Sequence, residues 1–298
     1  MSDKSADSTG RTAAGTLFIV ATPIGNLQDL SPRAAACLRD ADLLLAEDTR
    51  HTRKLLDACG IARAGGIESL HEHNERQRVP ALLERLQAGS NVALVTDAGT
   101  PLMSDPGAVL VAAAAGAGLE VVAVPGPCAA IAALSVAGLP TDRFVFEGFL
   151  PAKSSGRRAA LAGLRQELRT LVFYEAPHRL EETLRDAAEV FGGERVAAVG
   201  RELTKRFECT YRGTLEQLAI RSETDVDMTR GELVIVVAGA GAETADAAVA
   251  RARDDERVLR VLLQELPVSQ AARIAAQLTG RGRKELYERA LTLAGDRS

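Results

Sequence analysis

The chain has 298 residues, of which 46% are hydrophobic and 26% are charged, a composition typical of globular proteins that excludes a fibrous or largely disordered chain. The net charge of −4 excludes a uniformly basic nucleic-acid-binding domain, so any contact with RNA would depend on local basic clusters. Four scattered cysteines, with no C-x-x-C pair, argue against a structural zinc site and favour a cytoplasmic protein. The polar N-terminus does not resemble a signal peptide, and no apolar stretch is long enough to span a membrane.

Short apolar runs alternate with helical patterns through the first half of the chain. The apolar runs predict four β-strands, at residues 17–21, 42–46, 92–96 and 120–124. Because strands that alternate with helices usually run in the same direction, this half predicts a mainly parallel sheet. Ser31 followed by Pro32 predicts the start of the first helix, since serine is a common N-cap and proline is favoured at the first helical position.

The pattern changes at residues 125–127, where a Pro-Gly-Pro sequence follows a strand and predicts a domain junction. Five strand-like runs follow, several of them joined by short connections, which predicts a mixed sheet in a second domain. The end of the chain is helical in pattern and resembles a helix-turn-helix, although a helical lid or a dimer contact fits equally well. The expected fold class is α/β, with a disordered tail at 1–14, domains at 15–125 and 126–243, and a helical segment at 244–298.

Polar loops follow several of the predicted strands, and functional residues concentrate in such loops. The first loop, ATPIGNLQDL at residues 21–30, has one glycine and lacks the G-x-G-x-x-G pattern of dinucleotide-binding folds. Glu47 and Asp48 follow the second strand, where such folds hold a ribose, but the missing glycines argue against an NAD enzyme. The loop TDAGTPLMSDPG at 96–107 offers backbone N–H groups and tight turns to a small ligand.

Histidines and basic residues lie near the same loops. His71 and His73 alternate in LHEHNERQR and could contact a metal, but two good ligands are too few, so we expect no metal site. Histidine is nevertheless the side chain most readily tuned for proton transfer near neutral pH. Four basic clusters stand out, at residues 50–54, 153–158, 201–206 and 281–284. The cluster at 201–206 interleaves cations with acids, which suits either a phosphate-bearing substrate or an ordinary ion-paired surface.

Nine ordered motifs give the chain a resemblance to a known family. They include FIVATPIGNLQDLSPRA, LVTDAGTPLMSDPG, VVAVPGPCAAIAALSVAGLP and GRELTKRFE, and they extend from about residue 15 to the C-terminus. Together they resemble the small-subunit ribosomal RNA methyltransferase I family of the tetrapyrrole-methylase superfamily. The resemblance implies a two-domain α/β fold, S-adenosylmethionine as cofactor, a homodimer, and 2′-O-methylation of a cytidine in the decoding region of 16S rRNA. The partner is either 16S rRNA itself or the small ribosomal subunit.

The resemblance also implies a cofactor site in the cleft between the two domains. The residues expected to bind the cofactor are Asp97, Ala98, Gly99, Thr100, Cys128, Ala129, Tyr174 and Glu175. The first loop departs from the glycine- and acid-bearing loop of tetrapyrrole enzymes, which favours an RNA substrate. The residues expected to contact that substrate are Thr22, Pro23, Gly25, Asn26, Arg50, His51, His71, Glu72, Lys205 and Arg206. The expected catalytic residues are Glu47, Asp48 and His73, with the acidic pair nearest to the ribose hydroxyl.

Two alternatives stay open at this point. A methylase of the same fold that acts on a tetrapyrrole or another small molecule would need neither the basic loop at 201–206 nor the C-terminal helices. A non-catalytic RNA-binding module would bind through those terminal helices, and changes at Arg283 or Lys284 would then abolish its binding.

Overall fold

The computed structural model describes residues 13–241, 255–279 and 282–295. The chain divides into two compact units, one ending at Ala240 and the other beginning at Gly241. Most of the predicted tail at 1–14 and the first part of the predicted helical segment lie outside the described residues. The predicted domain boundaries after residues 125 and 243 stay predictions.

The first sheet has five parallel strands in the order β3-β2-β4-β1-β5. Its strands are β1 (Thr16–Val20), β2 (Leu43–Ala46), β3 (Gly66–Ser69), β4 (Val92–Val95) and β5 (Glu120–Val124). The helices that connect them are α1 (Pro32–Asp40), α2 (Thr49–Ala58), α3 (Glu75–Gln87) and α4 (Ala108–Gly116). The carboxyl ends of all five strands therefore lie at one edge of the sheet, where open α/β sheets bind their ligands.

Strand β2 shows why the centre of this sheet is apolar throughout. Leu43 and Leu45 pack into one buried cluster, and Leu44 and Ala46 pack into another. Successive side chains of a strand point to opposite faces, so both faces of β2 are covered. The first helix begins as predicted, because Ser31 Oγ accepts a hydrogen bond from the backbone N–H of Ala34 at 3.0 Å.

The second sheet is mixed, in the order β6-β7-β10-β8-β9. Its strands are β6 (Phe144–Phe149), β7 (Thr170–Glu175), β8 (Val196–Arg201), β9 (Cys209–Thr214) and β10 (Leu233–Val237). Only β6 and β7 pair in parallel, and β10 lies antiparallel between β7 and β8. The helices are α5 (Ala129–Ala137), α6 (Ser154–Gly163), α7 (Leu180–Phe191) and α8 (Leu215–Thr224). Helix α5 packs through small residues on the central strands, so the chain passes close to this sheet directly after β5.

The C-terminal unit is helical where it is described. Residues 255–262 are helical, and α9 (Val268–Thr279) and α10 (Arg283–Gly295) follow. Leu259, Ala272 and Leu286 belong to the buried apolar cluster of this unit. No helix among the described residues combines the length and the apolarity needed to cross a membrane.

Candidate functional site

Three loops at the carboxyl edge of the first sheet are fastened to one another. Thr22, after β1, and Gly99, after β4, exchange two backbone hydrogen bonds of 2.9 and 3.1 Å. Thr100 Oγ1 donates a hydrogen bond of 2.9 Å to the carbonyl of Pro127, which lies after β5. The three loops therefore hold a fixed arrangement, which is what a preformed ligand site requires.

A cavity of about 340 Å³, named here the main cavity, lies between these loops and the second sheet. The second sheet contributes to its wall the carboxyl end of β7, the amino end of β10 and the loop after β8. Its volume falls within the range of roughly 300–1,000 Å³ that is usual for small-molecule sites. Its walls are formed by Ile24, Ala98, Gly99, Thr100, Met103, Ser104, Asp105, Ala129, Phe149, Tyr174, Glu175, Ala176, Pro177, Leu203, Gly231, Glu232, Leu233 and Val234.

Two glycines of the wall are required by close packing. Gly99 has φ +88°, and a Cβ there would lie 3.2 Å from Ile24 Cγ2. Gly231 has φ +79°, and a Cβ there would lie 2.3 Å from a carboxylate oxygen of Glu202. Both positions therefore exclude side chains and leave backbone exposed to a ligand.

Backbone strain is concentrated in two loops that line the main cavity. Among the described residues, the non-glycine residues with positive φ are Leu102, Ser104, Glu202 and Thr204, at 72°, 74°, 50° and 67°. Such conformations cost of order 1–3 kcal/mol each and cluster at ligand sites in known proteins. The strain supports the assignment of these loops to a functional site.

Asp105 is an acidic side chain of the main cavity that sequence reasoning missed. Burial raises the pKa of Asp105, a hydrogen bond with Thr96 lowers it, and the nearby carboxylates of Glu47 and Asp97 raise it, which together bring it to about 6. Thr96 Oγ1 in turn donates a hydrogen bond of 3.1 Å to Glu47. The motif TDAGTPLMSDPG contained Asp105, but only the first half of that loop was expected to contact the cofactor.

A second cavity of about 370 Å³, named here the adjoining cleft, lies on the other side of the first loop. It shares three wall residues with the main cavity, Ile24, Ala98 and Glu232. Its other walls are formed by Pro23, Gly25, Leu27, His51, Lys54, Leu55, Ala58, Asp97 and Lys205. A ligand in the cleft and a ligand in the main cavity would therefore be neighbours.

Lys205 is held firmly at the wall of the adjoining cleft. A Cβ at Gly25 would lie 2.3 Å from Lys205 Cγ, so the lysine stem crosses directly over that glycine. Lys205 Nζ lies 2.8 Å from Glu202 Oε1 and 3.1 Å from Glu232 Oε2. Although burial favours the neutral amine, these two hydrogen bonds raise the pKa of Lys205 above its usual value. Lys205 therefore stays protonated at the wall of the cleft, beside the two carboxylates that hold it.

Comparison with known proteins identifies the family. A model described as tetrapyrrole (corrin/porphyrin) methylases matches residues 16–219, and one described as the RsmI C-terminal HTH domain matches residues 249–294. The ribosomal RNA small subunit methyltransferase I of Pseudomonas aeruginosa is 52% identical over 95% of this chain and 99% of its own length. The chain belongs to the ribosomal RNA small subunit methyltransferase I family. The protein of that name from Escherichia coli O157:H7 is 48% identical, over 94% of this chain and 96% of its own.

Solved structures share the fold at low sequence identity. The methyltransferase CobJ has a TM-score of 0.57 at 20% identity and covers 78% of this chain and 97% of its own. Uroporphyrin-III C-methyl transferase from Thermus thermophilus, complexed with S-adenyl homocysteine, has a TM-score of 0.52 at 18% identity. It covers 75% of this chain and 97% of its own. These neighbours and the family match confirm the predicted family and the predicted α/β fold class.

The structure brings most of the expected cofactor-binding residues of this family member to the main cavity. Those that line it are Ala98, Gly99, Thr100, Ala129, Tyr174 and Glu175. Asp97 lines the adjoining cleft instead, and Cys128 lies beside the cavity with its Sγ 4.0 Å from Tyr174 Oη. Burial and the neighbouring thiol raise the pKa of Tyr174, which keeps its hydroxyl protonated. The carboxylate of Glu175 is buried and accepts a hydrogen bond of 2.6 Å from Thr183 Oγ1.

The expected substrate-contacting residues divide into three groups. Those that line the adjoining cleft are Pro23, Gly25, His51 and Lys205. The second group has local structural roles. Thr22 is fully buried and its hydroxyl contacts backbone carbonyls, so its side chain cannot reach a substrate. Asn26 caps a short 3₁₀ turn. Those that lie outside both cavity walls are Arg50, His71, Glu72 and Arg206. His71 Nδ1 is buried and has no hydrogen-bond partner among the described residues.

The three expected catalytic residues have different surroundings. Asp48 caps α2 and lies 2.6 Å from the Arg50 guanidinium, whose hydrogen bonds hold the pKa of Asp48 well below its usual range. A carboxylate held in this way is a weak proton acceptor, which argues against Asp48 as the base. Glu47 accepts from Thr96, and the ring of His73 packs against that of His71 at 5.9 Å. Glu47 is thus linked through Thr96 to Asp105 in the wall of the main cavity.

Sequence reasoning missed part of each cavity wall. The amino end of β10 contributes Gly231, Glu232 and Leu233, and the strand pattern there gave no sign of a site. Leu203, in the basic loop, is buried against the main cavity although its neighbours are charged. Among the residues that the structure describes, no group of three or more His, Cys, Asp or Glu side chains is placed to hold a metal ion.

Proposed function

We propose that this protein transfers a methyl group from S-adenosylmethionine to the 2′-hydroxyl of a cytidine in the decoding region of 16S rRNA. Membership of a methyltransferase family confirms the predicted cofactor, and a fold neighbour was solved with S-adenyl homocysteine. The observation that carries the proposal is the shared wall of the main cavity and the adjoining cleft, which makes their ligands neighbours.

The main cavity fits the cofactor. Glycine at positions 99 and 231 leaves backbone exposed, and Ala98 and Ala129 keep the walls open to a ligand of nucleoside size. When bound, S-adenosylmethionine supplies an electrophilic methyl group attached to a positively charged sulfur. Asp105 would add negative charge to the wall beside that ligand, since its pKa of about 6 leaves it largely ionised above neutral pH.

The adjoining cleft suits an RNA strand. His51, Lys54 and Lys205 contribute its basic groups, and phosphate contacts of this kind position nucleic acids. Arg206 lies over the ring of Phe207 at 5.5 Å, and that ring is 63% exposed, two residues beyond Lys205. Sequence-specific RNA recognition targets unpaired nucleotides whose bases stack on exposed aromatic rings, so Phe207 would accept a base next to the methylated ribose.

The rate acceleration would come mainly from positioning. Holding two reactants in a reactive arrangement can contribute about 7–11 kcal/mol, and a base within hydrogen-bond reach contributes roughly 10²–10⁴-fold. The loops after β1, β4 and β5 supply the rigidity that positioning needs. Hydrogen bonds between Thr22 and Gly99 and between Thr100 and Pro127 connect them.

We further propose a cytoplasmic homodimer that acts on 16S rRNA, either free or within the small ribosomal subunit. A chain of net charge −4 gains from bringing two sets of local basic clusters to one large RNA target. Light scattering of the purified protein tests the dimer, and a monomer at micromolar concentration would contradict it.

Methyl transfer from labelled S-adenosylmethionine tests the proposed function. The acceptors are small ribosomal subunits and naked 16S rRNA from a strain that lacks this protein. Label in 2′-O-methylcytidine at one decoding-region position is the expected result, and comparison of the acceptors identifies the substrate form. Label in another nucleoside, or none in either acceptor while the cofactor still binds, would overturn the assignment and favour the small-molecule alternative.

A further inference from the structure

Glu232 occupies the point where the main cavity meets the adjoining cleft. Of the three residues that both walls share, Glu232 alone has a titratable side chain, since the others are Ile24 and Ala98. A group at this junction is adjacent to both ligands of a transfer reaction. The sequence gave no sign of this, because Glu232 lies in the short GEL segment directly before a strand.

The backbone of Glu232 is fixed while its side chain stays accessible. Its N–H donates to Glu202 Oε1 at 2.9 Å, and its carbonyl accepts from the N–H of Glu202 at 2.9 Å. Leu233, the next residue, is buried at the start of β10. The Glu232 side chain is nevertheless 71% exposed. It can therefore reach a substrate without any change in the fold.

Lys205 gives this carboxylate a cationic partner. Its Nζ lies 3.1 Å from Glu232 Oε2 and also contacts Glu202. Because Glu202 already holds the amine at 2.8 Å, Lys205 would stay in place when Glu232 turns toward a substrate. A fixed ammonium at this point stabilises negative charge that develops on a neighbouring oxygen.

The other carboxylates around the site are less available for proton transfer. Asp48 and Glu47 line neither cavity, since Asp48 caps α2 beside Arg50 and Glu47 accepts a hydrogen bond from Thr96 Oγ1. Asp97 Oδ1 accepts the backbone N–H of Asp48 at 3.1 Å. Glu175 is buried against Thr183. Asp105 lines only the main cavity, on the cofactor side. Glu232 is thus the acid whose position serves both ligands.

We propose that Glu232 is the general base of the methyl transfer and that Lys205 stabilises the hydroxyl oxygen as it loses its proton. The inference rests on the proposed function. The proton passes from the ribose hydroxyl to a carboxylate oxygen of Glu232, and the electron pair of the broken O–H bond stays on the ribose oxygen. That oxygen forms the new bond to the methyl carbon, while the electron pair of the broken carbon–sulfur bond returns to sulfur.

The deciding variant is Glu232→Gln, which keeps the shape and a hydrogen-bond acceptor for Lys205 but removes the basic carboxylate. Its matched control is Glu194→Gln, an exposed residue in the turn before the opposite end of β8. Single-turnover methylation of small subunits by Glu232→Gln should be slower by roughly 10²–10⁴-fold, and the control should match wild type. Calorimetry with S-adenosylhomocysteine and filter binding of small subunits should give wild-type affinities for both variants.

The double variant separates a base from a residue that only positions Lys205. A base predicts that Glu232→Gln slows a Lys205→Met enzyme further, whereas a positioning role predicts no additional loss. Wild-type turnover by Glu232→Gln, or a loss explained fully by weaker cofactor or RNA binding, would overturn the inference. Absence of methylation by the wild-type protein would instead overturn the proposed function, so the two failures are distinguishable.

Discussion

The main cavity and the adjoining cleft share a wall but are built in opposite ways. The main cavity is lined largely by backbone, small residues and apolar side chains, as at Gly99 and Ala129. The cleft combines apolar residues with basic side chains at His51, Lys54 and Lys205 and acidic ones at Asp97 and Glu232. Shape therefore selects the ligand of the first, and charge selects the ligand of the second. The contrast predicts that substitutions on the two sides affect cofactor and RNA separately.

The largest effect is expected at Gly99, where the cavity depends on shape. In a Gly99→Val variant the branched side chain meets φ +88° and the contact with Ile24. We expect the affinity for S-adenosylhomocysteine to fall about 100-fold, because strain of order 1–3 kcal/mol shifts the loop away from the conformation that binds the ligand. Calorimetry measures the affinity, and RNA binding should be unchanged.

Gly163→Val is the matched control for this variant, because a side chain at Gly163 meets open space at the end of α6. An equal loss of cofactor affinity in both variants, or a loss of RNA affinity in Gly99→Val, would contradict the proposal that shape selects the ligand of the main cavity and charge selects the ligand of the cleft.

A smaller effect is expected at Phe207, on the RNA side. Phe207→Ala should raise the KM for small subunits about tenfold, since stacking of one base is worth ~1–3 kcal/mol. Phe207→Tyr should keep wild-type KM because it keeps the ring. Steady-state kinetics measure both, with Phe144→Ala as a control at another exposed phenylalanine. A cofactor affinity that changes with Phe207→Ala would contradict the separation.

The smallest effect concerns Asp105, a buried acidic residue in the wall of the main cavity. Its pKa of about 6 lies above the ordinary value of 3.8, so the folded protein binds this proton more tightly than the unfolded chain. The stability contributed by the protonated form is complete below about pH 4 and is lost as the pH rises through about 6. We expect Asp105→Asn to melt at a higher temperature than wild type near pH 8, with little difference near pH 4. Thermal melts without cofactor measure the difference, and a pH-independent difference would contradict the burial of this charge.

The strands were the features that the sequence predicted best. The predicted strand at 120–124 has the observed bounds, because a β-branched run between glycine and proline has few alternatives. Strand β3 was missed, since GIES is short, polar in part and lies at an exposed edge, where periodicity is weak. The loops after β1 and β4 were recognised as candidate sites because glycine and proline interrupt the chain there. The segment after β5 was interpreted as a domain junction and entered the expected site only through the family resemblance.

Contacts between side chains that are distant in the sequence could not be predicted from the sequence. Arg157, in the basic cluster at 153–158, is 1% exposed and lies 2.7 Å from Asp186 on the next helix. Nothing in the local pattern distinguishes that arginine from Arg158, which stays partly exposed. The junction residue Glu232 was missed for the same reason, since its position depends on contacts with Glu202 and Lys205 across the fold.

The position of β10 has a consequence for the order in which this protein is made. The first sheet is complete once the ribosome has synthesised Val124, whereas the centre of the second sheet waits for residues up to Val237. Domains generally fold as units during synthesis, so the first sheet can fold while the second is still being translated. Leu233 and Val234 belong both to β10 and to the main cavity. A prematurely terminated chain that ends before β10 would therefore hold a folded first sheet but no complete main cavity.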